Sequence, residues 1–273
     1  DEKGHLKSDH FSADLFPKGL YETIQFPKKE LLKIVHWLSI GKSADAGGKE
    51  KEKSMFFADV EHVSIELLVV GAGIAGLVAG VTSSRAGIRL MLLESDFILG
   101  GRLNSEGQSN NSWLMNTILE LKNQEHVRIC NRTQLLGRDA DGTFLAIEKF
   151  YKQDSTDNVQ PIYKILKIKA EHTFVATGAR ERIPVLLDKN IPGIMPTGVF
   201  NTFLNRFGLG ANDGVTLYTN NDAGWNTVKH LTRLGLRIDA VIDTRLNSTK
   251  VADCPVFRGA RIIKVLGKSH LRT

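Results

Sequence analysis

Apolar and polar positions alternate in two rhythms along this chain, and the switch between them is sharpest from Ile65 to Arg102. Leu67 to Val70 is an unbroken apolar run, the pattern of a strand buried on both faces in a parallel sheet. Gly71, Gly73 and Gly76 follow in the order G-x-G-x-x-G. A helical segment then runs from Leu77 to Arg85, with Gly87 placed to cap its C-terminus. A second apolar strand, Arg89 to Leu93, ends in Glu94.

On either side of this stretch the pattern predicts further elements. Lys29 to Leu38 reads as a helix with Leu31, Leu32, Val35 and Leu38 on one face. The charged, glycine-bearing run Gly41 to Lys53 reads as a linker, so the core domain is expected to start near Phe57. Asn104 to Asn111 is a polar loop. Ser112 to Asn123 is a helix presenting Leu114, Ile118 and Leu121, and His126 to Cys130 is a strand. Thr133 to Leu136 leads into Asp139-Ala140-Asp141-Gly142, a hairpin signal before the strand Thr143 to Phe150. After the polar tip Gln153 to Asn158, Pro161 to Ile168 completes an antiparallel meander. Thr173 to Val175 is a short strand entering Ala176, Thr177 and Gly178, small residues that let backbone approach a ligand. From Gly214 a second strand-helix-strand unit appears, its helix capped by Gly235.

The spacing of the three glycines has a chemical reading because strand, helix, second strand and acid all stand in register around it. Gly71 permits a tight strand-to-helix turn, Gly73 lets a pyrophosphate approach the backbone, and Gly76 allows close helix–strand packing. The helix start offers unpaired N–H groups and the positive end of its dipole to phosphates. Glu94, at the end of the second strand, is placed to accept hydrogen bonds from ribose hydroxyls, and its charge disfavours a 2′-phosphate. The second unit reads differently. Asn220, Asn221, Asp222, Ala223 and Gly224 stand where a glycine triplet belongs, so only one glycine survives and Asp222 brings the wrong charge for a phosphate. That half is expected to keep the architecture without a second tightly held dinucleotide, and Asp243 reads as a turn residue rather than a ribose ligand. The fold class is therefore α/β: a Rossmann-like parallel-sheet dinucleotide-binding domain with an inserted β-meander, plus a degenerate second unit. Domain boundaries are expected at 1–56, 57–195 and 196–273.

Composition narrows the partners. A length of 273 residues with 24% charged residues is that of an ordinary globular chain able to bury a sizeable core. The net charge of +6 arises from basic residues interleaved with acids, with no aromatic-studded basic stripe, so nucleic acid is not an expected partner. Leu67 to Ser84 carries no charge, but its glycines, Thr82, Ser83 and Ser84 make it a poor membrane span. Cys130 and Cys254 belong to no C-x-x-C, which argues against a redox dithiol and a zinc site and fits a cytoplasmic chain. The histidines are scattered and no G-x-S-x-G elbow exists, so metal and nucleophilic chemistry are not expected. The charged N-terminal residues do not read as a signal peptide, so none is expected; the chain lacks an initiator Met and stops just after Ile262 to Leu266, so it is expected to be a piece of something longer.

Several separate stretches carry a family resemblance. IPGIMPTGVFNTFLNRFGL, starting at Ile191, and VTLYTNNDAGWNTVKHLTRLGLRIDAVIDTR, starting at Val215, closely resemble the α subunit of heterotetrameric sarcosine oxidase. ATGARER from Ala176 and LFPKGLYETIQFP from Leu15 match it too, so the resemblance covers roughly residues 12 to 250. It also places the chain in the two-dinucleotide-binding-domain flavoprotein superfamily. The resemblance implies NAD in the glycine loop (Gly71, Ala72, Gly73, Ile74, Ala75, Gly76), ribose contact at Glu94 beside Ser95, and phosphate or ring contact near Gly101 and Arg102. It implies adenine contact near Thr133 and close approach at Thr177 and Gly178. Independently of the resemblance, Arg180 and Arg182, which follow the A-T-G strand end, are candidates for anchoring phosphate or a partner. The resemblance implies, further, a β subunit carrying FAD, smaller subunits, and FMN at the α–β interface. The complex would oxidise sarcosine to glycine with hydrogen peroxide and pass a one-carbon unit to tetrahydrofolate. A ferredoxin-like domain and an aminomethyltransferase-like domain of the full-length subunit have no counterpart in this sequence. FAD or another adenine nucleotide in the loop, a self-contained FAD-dependent amine oxidase or reductase, and a non-catalytic docking scaffold stay open as alternatives.

Overall fold

The computed structural model describes residues 58–107, 111–153, 159–183, 192–211 and 213–266. The expected helix Lys29 to Leu38, the linker Gly41 to Lys53 and most of the polar tip lie outside them. Among the described residues the order is β1 (Ala58–Val70), α1 (Ile74–Arg85), β2 (Leu90–Leu93), α2 (Arg102–Ser105), α3 (Ser112–Lys122), β3 (Val127–Cys130), β4 (Thr133–Arg138), β5 (Phe144–Gln153) and β6 (Val159–Val175). Then follow α4 (Thr197–Phe207), β7 (Val215–Thr219), α5 (Asp222–Arg233), β8 (Ile238–Asp243) and β9 (Val256–Arg258). Backbone contacts group the chain into two compact units, one of residues 1–65 and 132–170, the other of 66–131 and 171–273. This grouping divides both β1 and β6. Each unit is described by itself.

In the first unit β4, β5 and β6 form the antiparallel meander, with Phe144 opposite Ile168 and Thr133 opposite Glu148. The hairpin forms at Asp139 to Gly142, where Asp139 N donates to Thr143 O at 2.9 Å and the Asp139 carboxylate accepts from Thr143 N at 3.1 Å. Both faces of the meander are buried here: Ala146, Leu166 and Ile168 lie on one face and Ile147 and Ile165 on the other. Two strands are longer than the apolar runs suggest. Leu67 to Val70 is only the end of β1, whose earlier part exposes His62 and Ser64 between half-buried neighbours, a one-sided pattern rather than a polar leader. Glu61 is part of this strand and pairs with Lys164 at 3.1 Å. Likewise Pro161 to Ile168 and Thr173 to Val175 are one continuous strand, β6, because the polar positions between them interrupt the hydrophobic signal but not the backbone.

In the second unit β3, β2 and β1 pair in parallel, Leu67 beside Leu90 and Leu90 beside Val127. The strand ends are flush, with Val70 beside Leu93 and Leu93 beside Cys130. Every residue of β2 is buried, as the continuous apolar run requires. Val69, Leu77, Leu90, Leu92, Leu114 and Leu121 form the core with α1 and α3, each large side chain contributing about 2 kcal/mol of burial. Asn111 caps α3 by accepting from Trp113 N at 2.9 Å. The polar loop expected from Asn104 begins instead as the helical turn α2, since Leu103 is buried and Asn104 Nδ2 donates to Leu99 O at 2.8 Å. β7, β8 and β9 form a smaller parallel sheet whose core is Leu217, Trp225, Val228, Leu231 and Val241. Among the described residues no helix is long and apolar enough to cross a membrane.

Candidate functional site

Parallel strands with flush ends place three chain turns at one edge. Gly71 N donates to Leu93 O at 2.8 Å, Glu94 N to Cys130 O at 2.9 Å, and Ala176 N to Val70 O at 2.8 Å. The glycine loop, the acid and the A-T-G segment therefore meet at the carboxyl end of the sheet, where open α/β sheets bind ligands. The three glycines of the fingerprint are there for different reasons. Gly71 has φ +99°, and a Cβ on it would overlap Ala176 O and come within 3.3 Å of Thr177 Cα. A Cβ on Gly76 would overlap Gly71 O, so that glycine lets the helix close on its own loop. Gly73 has φ −72°, and a Cβ there would meet nothing within 4 Å. Neither its conformation nor its neighbours require a glycine; what the missing side chain leaves is open space at the start of α1.

That helix start is undressed. Gly73 is the N-cap, no side chain caps the helix, and no acidic residue stands in the first turn. The first backbone bond into the helix is Leu77 N to Gly73 O at 2.9 Å, so the N–H groups of Ile74, Ala75 and Gly76 have no helical acceptor. Ile74 is half exposed and Ala75 is exposed, while Ala72 and Gly76 are buried. Across the loop, Gly100 N donates to Ala72 O at 2.8 Å, and a Cβ on Gly101 would come within 3.0 Å of Gly73 Cα. The G-G-R segment thus packs directly over the phosphate loop.

Glu94 is buried with 8% exposure at the end of β2. Its Oε2 accepts from Ala72 N at 2.8 Å, and its Oε1 accepts from Asp96 N at 2.8 Å and Ser95 Oγ at 3.2 Å. A carboxylate has about four acceptor positions. Three are engaged in holding the acid against the loop, and acceptor capacity remains. Arg102 turns away from this centre: its side chain is 69% exposed and pairs with Glu106 at 2.8 Å. Thr177 and Gly178 are exposed beside Gly71, and Arg180 and Arg182 are exposed further along. Thr133 belongs to the first unit, buried at the start of β4.

Four side chains that tie down this loop escaped the sequence reading. Asp96 receives Arg206 Nη1 at 2.6 Å and Nη2 at 3.2 Å, and Asn205 Nδ2 donates to Ser105 O at 2.7 Å. His230 Nε2 in turn donates to Asn205 Oδ1 at 2.9 Å. Pairs this far apart in the chain leave no local signal.

The second strand-helix-strand unit holds its corresponding features differently. Asn221 caps α5 by accepting from Ala223 N at 3.0 Å, and Asp222 occupies the first turn. Asp243, at the end of β8, is fully buried. It accepts from Trp225 Nε1 at 2.8 Å and from Arg245 Nη2 at 2.9 Å and Nε at 3.0 Å. Arg245 N closes an Asx turn on it at 3.0 Å, so Asp243 has the expected turn role and also pairs with the half-buried Arg245 side chain. The Arg245 guanidinium holds the Asp243 carboxyl well below the usual carboxylate range, against the opposing effect of burial. Arg245 reaches Asp222 as well, at 2.9 Å, lowering that carboxyl too.

Comparison with known proteins agrees with this geometry. Residues 69–131 match the family described as NAD(P)-binding Rossmann-like domain. The chain is 29% identical over 244 residues to sarcosine oxidase subunit alpha of Rhizobium meliloti (strain 1021), covering 86% of this chain and 23% of that protein. It is 32% identical over 215 residues to sarcosine oxidase subunit alpha of Corynebacterium sp. (strain P-1), covering 76% of this chain and 22% of that one. The chain thus spans less than a quarter of the length of these curated relatives. Among solved structures, L-proline dehydrogenase from P. horikoshii superposes with a TM-score of 0.52 at 17% identity, over 73% of this chain and 42% of that one, a likeness of fold. Residues 69–131 are an NAD(P)-binding Rossmann-like domain, and the chain that carries them is similar over most of its length to one portion of sarcosine oxidase subunit alpha.

Proposed function

We propose that this chain holds an adenine dinucleotide, NAD, at the start of α1, as the nucleotide-binding portion of a sarcosine oxidase α subunit. The observation that carries the reading is Gly73, whose missing side chain serves no demand of the protein itself and opens onto uncapped helix N–H groups. The residues present fit the cofactor. Gly71, Ala72, Gly73, Ile74, Ala75 and Gly76 present backbone to the diphosphate, and the helix dipole favours its charge. Glu94, already fixed by Ala72 N, has acceptor capacity left for the adenosine ribose. Gly101 brings backbone to the same place, Ser95 orients Glu94, and Thr177 and Gly178 leave an open approach. The contacts expected of Thr133 and Arg102 rest on the resemblance alone, and those of Arg180 and Arg182 on their place in the sequence after the A-T-G segment.

In this reading the chain works inside a hetero-oligomer with a β subunit carrying FAD, smaller subunits and FMN at the α–β interface. The assembly is an oxidoreductase that demethylates sarcosine to glycine with hydrogen peroxide, passing the one-carbon unit to tetrahydrofolate. Bound NAD supplies a nicotinamide and an adenosine diphosphate; this chain's residues bind and orient it. Similarity to named α subunits supports this. Cys130 and Cys254 are far apart in the sequence and belong to no C-x-x-C, which weighs against a dithiol reductase.

Heat or acid release of small molecules from the purified chain, identified by mass spectrometry, tests the reading. NAD is the expected product. FAD would favour the self-contained flavoenzyme, and the absence of any nucleotide the docking scaffold. Sarcosine-dependent dye reduction by this chain without a partner would overturn the subunit reading.

A further inference from the structure

The acid that faces the proposed ribose is not held by its own strand alone. Its Oε1 is oriented by Asp96 N, and the position of Asp96 is set from far along the chain. Arg206, on α4, grips the Asp96 carboxylate through two nitrogens, with side-chain exposure of only 15% for the arginine. The guanidinium also lies over the Phe97 ring at 4.9 Å and the Phe207 ring at 5.5 Å, two aromatic contacts that add to its hold on the loop. The adjacent residue, Asn205, holds the other end of the same loop through Ser105 O. A Cβ on Gly107 would meet Asn205 Oδ1 at 3.1 Å and His230 Cε1 at 3.3 Å, so loop and helix are in close contact.

Two consecutive residues of one helix thus clamp both shoulders of the segment that bears Glu94, Gly100 and Gly101. That helix is braced in turn by α5, through His230 to Asn205 and through Asn201 Nδ2 to Thr227 Oγ1 at 3.2 Å. From this geometry we infer that Arg206 is a positioning residue for the dinucleotide site: by fixing Asp96 it aims Glu94 at the adenosine ribose. The second strand-helix-strand unit, rather than binding a nucleotide of its own, braces the ribose-binding loop of the first. The inference rests on the dinucleotide reading above. A charge-assisted bidentate pair defines a direction as well as an attraction, which a lysine in its place does not.

The test is calorimetric titration of the whole chain with NAD and with its analogue lacking the adenosine 2′-hydroxyl, for the unsubstituted protein, Arg206→Gln, Arg206→Lys, Glu94→Gln and the double variant. Arg206→Gln should weaken NAD about tenfold. It should weaken the 2′-deoxy analogue much less, narrowing the preference for the intact ribose. Arg206→Lys should fall between, and Arg206→Gln should add little in the Glu94→Gln background, since the two act through one contact. Equal losses for NAD and the analogue, or full additivity with Glu94→Gln, would overturn the inference and leave Arg206 as a packing residue. So would unaltered binding in a folded Arg206→Gln. If the unsubstituted chain binds no NAD, the site reading itself falls and takes this inference with it.

Discussion

The two strand-helix-strand units of this chain, β1-α1-β2 and β7-α5-β8, differ in what their carboxylates do. Glu94 and Asp243 occupy the same place, the end of the strand that follows the helix, and both are buried. Glu94 is fixed by three uncharged donors and keeps acceptor capacity. Asp243 is neutralised by an arginine and an indole from its own unit. The helix starts diverge in the same sense. α1 begins bare at Gly73, while α5 begins with a capping Asn221 and an acidic Asp222 that Arg245 has claimed. Binding in this architecture is decided by which groups the protein leaves unanswered. Geometry of strand and helix is common to both units and separates nothing.

That contrast can be broken by substitution, and the largest effect should fall in the second unit. Asp243→Asn leaves Arg245 only its exposed pair with Asp222 and should lower stability by on the order of 2 kcal/mol, while changing NAD affinity less than about threefold. Chemical denaturation followed alongside a binding titration checks both parts. The pH dependence has a definite sign. Because its carboxyl is held low by Arg245, Asp243 contributes its full stability above the ordinary aspartate pKa of about 4 and loses it as pH falls further. The deficit of Asp243→Asn should therefore shrink steadily as the medium is acidified below about pH 4. An affinity loss as large as the stability loss would mean the second unit touches the ligand after all.

A smaller effect is expected at the matching acid. Glu94→Gln presents an amide donor to N–H groups that need an acceptor, and should weaken NAD about tenfold. NADP should gain relative to NAD, since the repulsive charge is gone, and competition between the two nucleotides reads this directly. Least of all is expected of Arg102→Ala. Its pair with Glu106 is on the surface, so stability should stay within about 0.5 kcal/mol. A drop in NAD affinity beyond about threefold would show that the arginine swings from Glu106 to the phosphates when ligand arrives.

Much of the geometry of the candidate site at β1-α1-β2 was legible because its requirements are local. A turn, a close approach and an undressed helix start each need a particular residue at a particular spacing, and Gly71, Gly73, Gly76 and Glu94 stand at those spacings. The degeneracy of the second unit was legible for the same reason, in the loss of two glycines. What stayed hidden is non-local. β1 and β6 run on through polar positions because their neighbours supply the pairing, which a hydrophobic pattern does not register. The grip of Arg206 on Asp96 depends on two residues 110 apart in the chain. Asp243 shows the middle case: its turn was legible, but its burial against the Arg245 guanidinium was not, because the same Asp-x-Arg spelling occurs on any exposed loop.

The burial of Trp225 has one more consequence, an optical one. Its indole is 1% exposed and donates to Asp243, whereas Trp113 is 41% exposed on α3. Emission from the sequestered indole should sit to the blue of Trp113, so the β7-α5-β8 unit carries a built-in fluorophore. Its spectrum would follow the unravelling of that unit without any added dye.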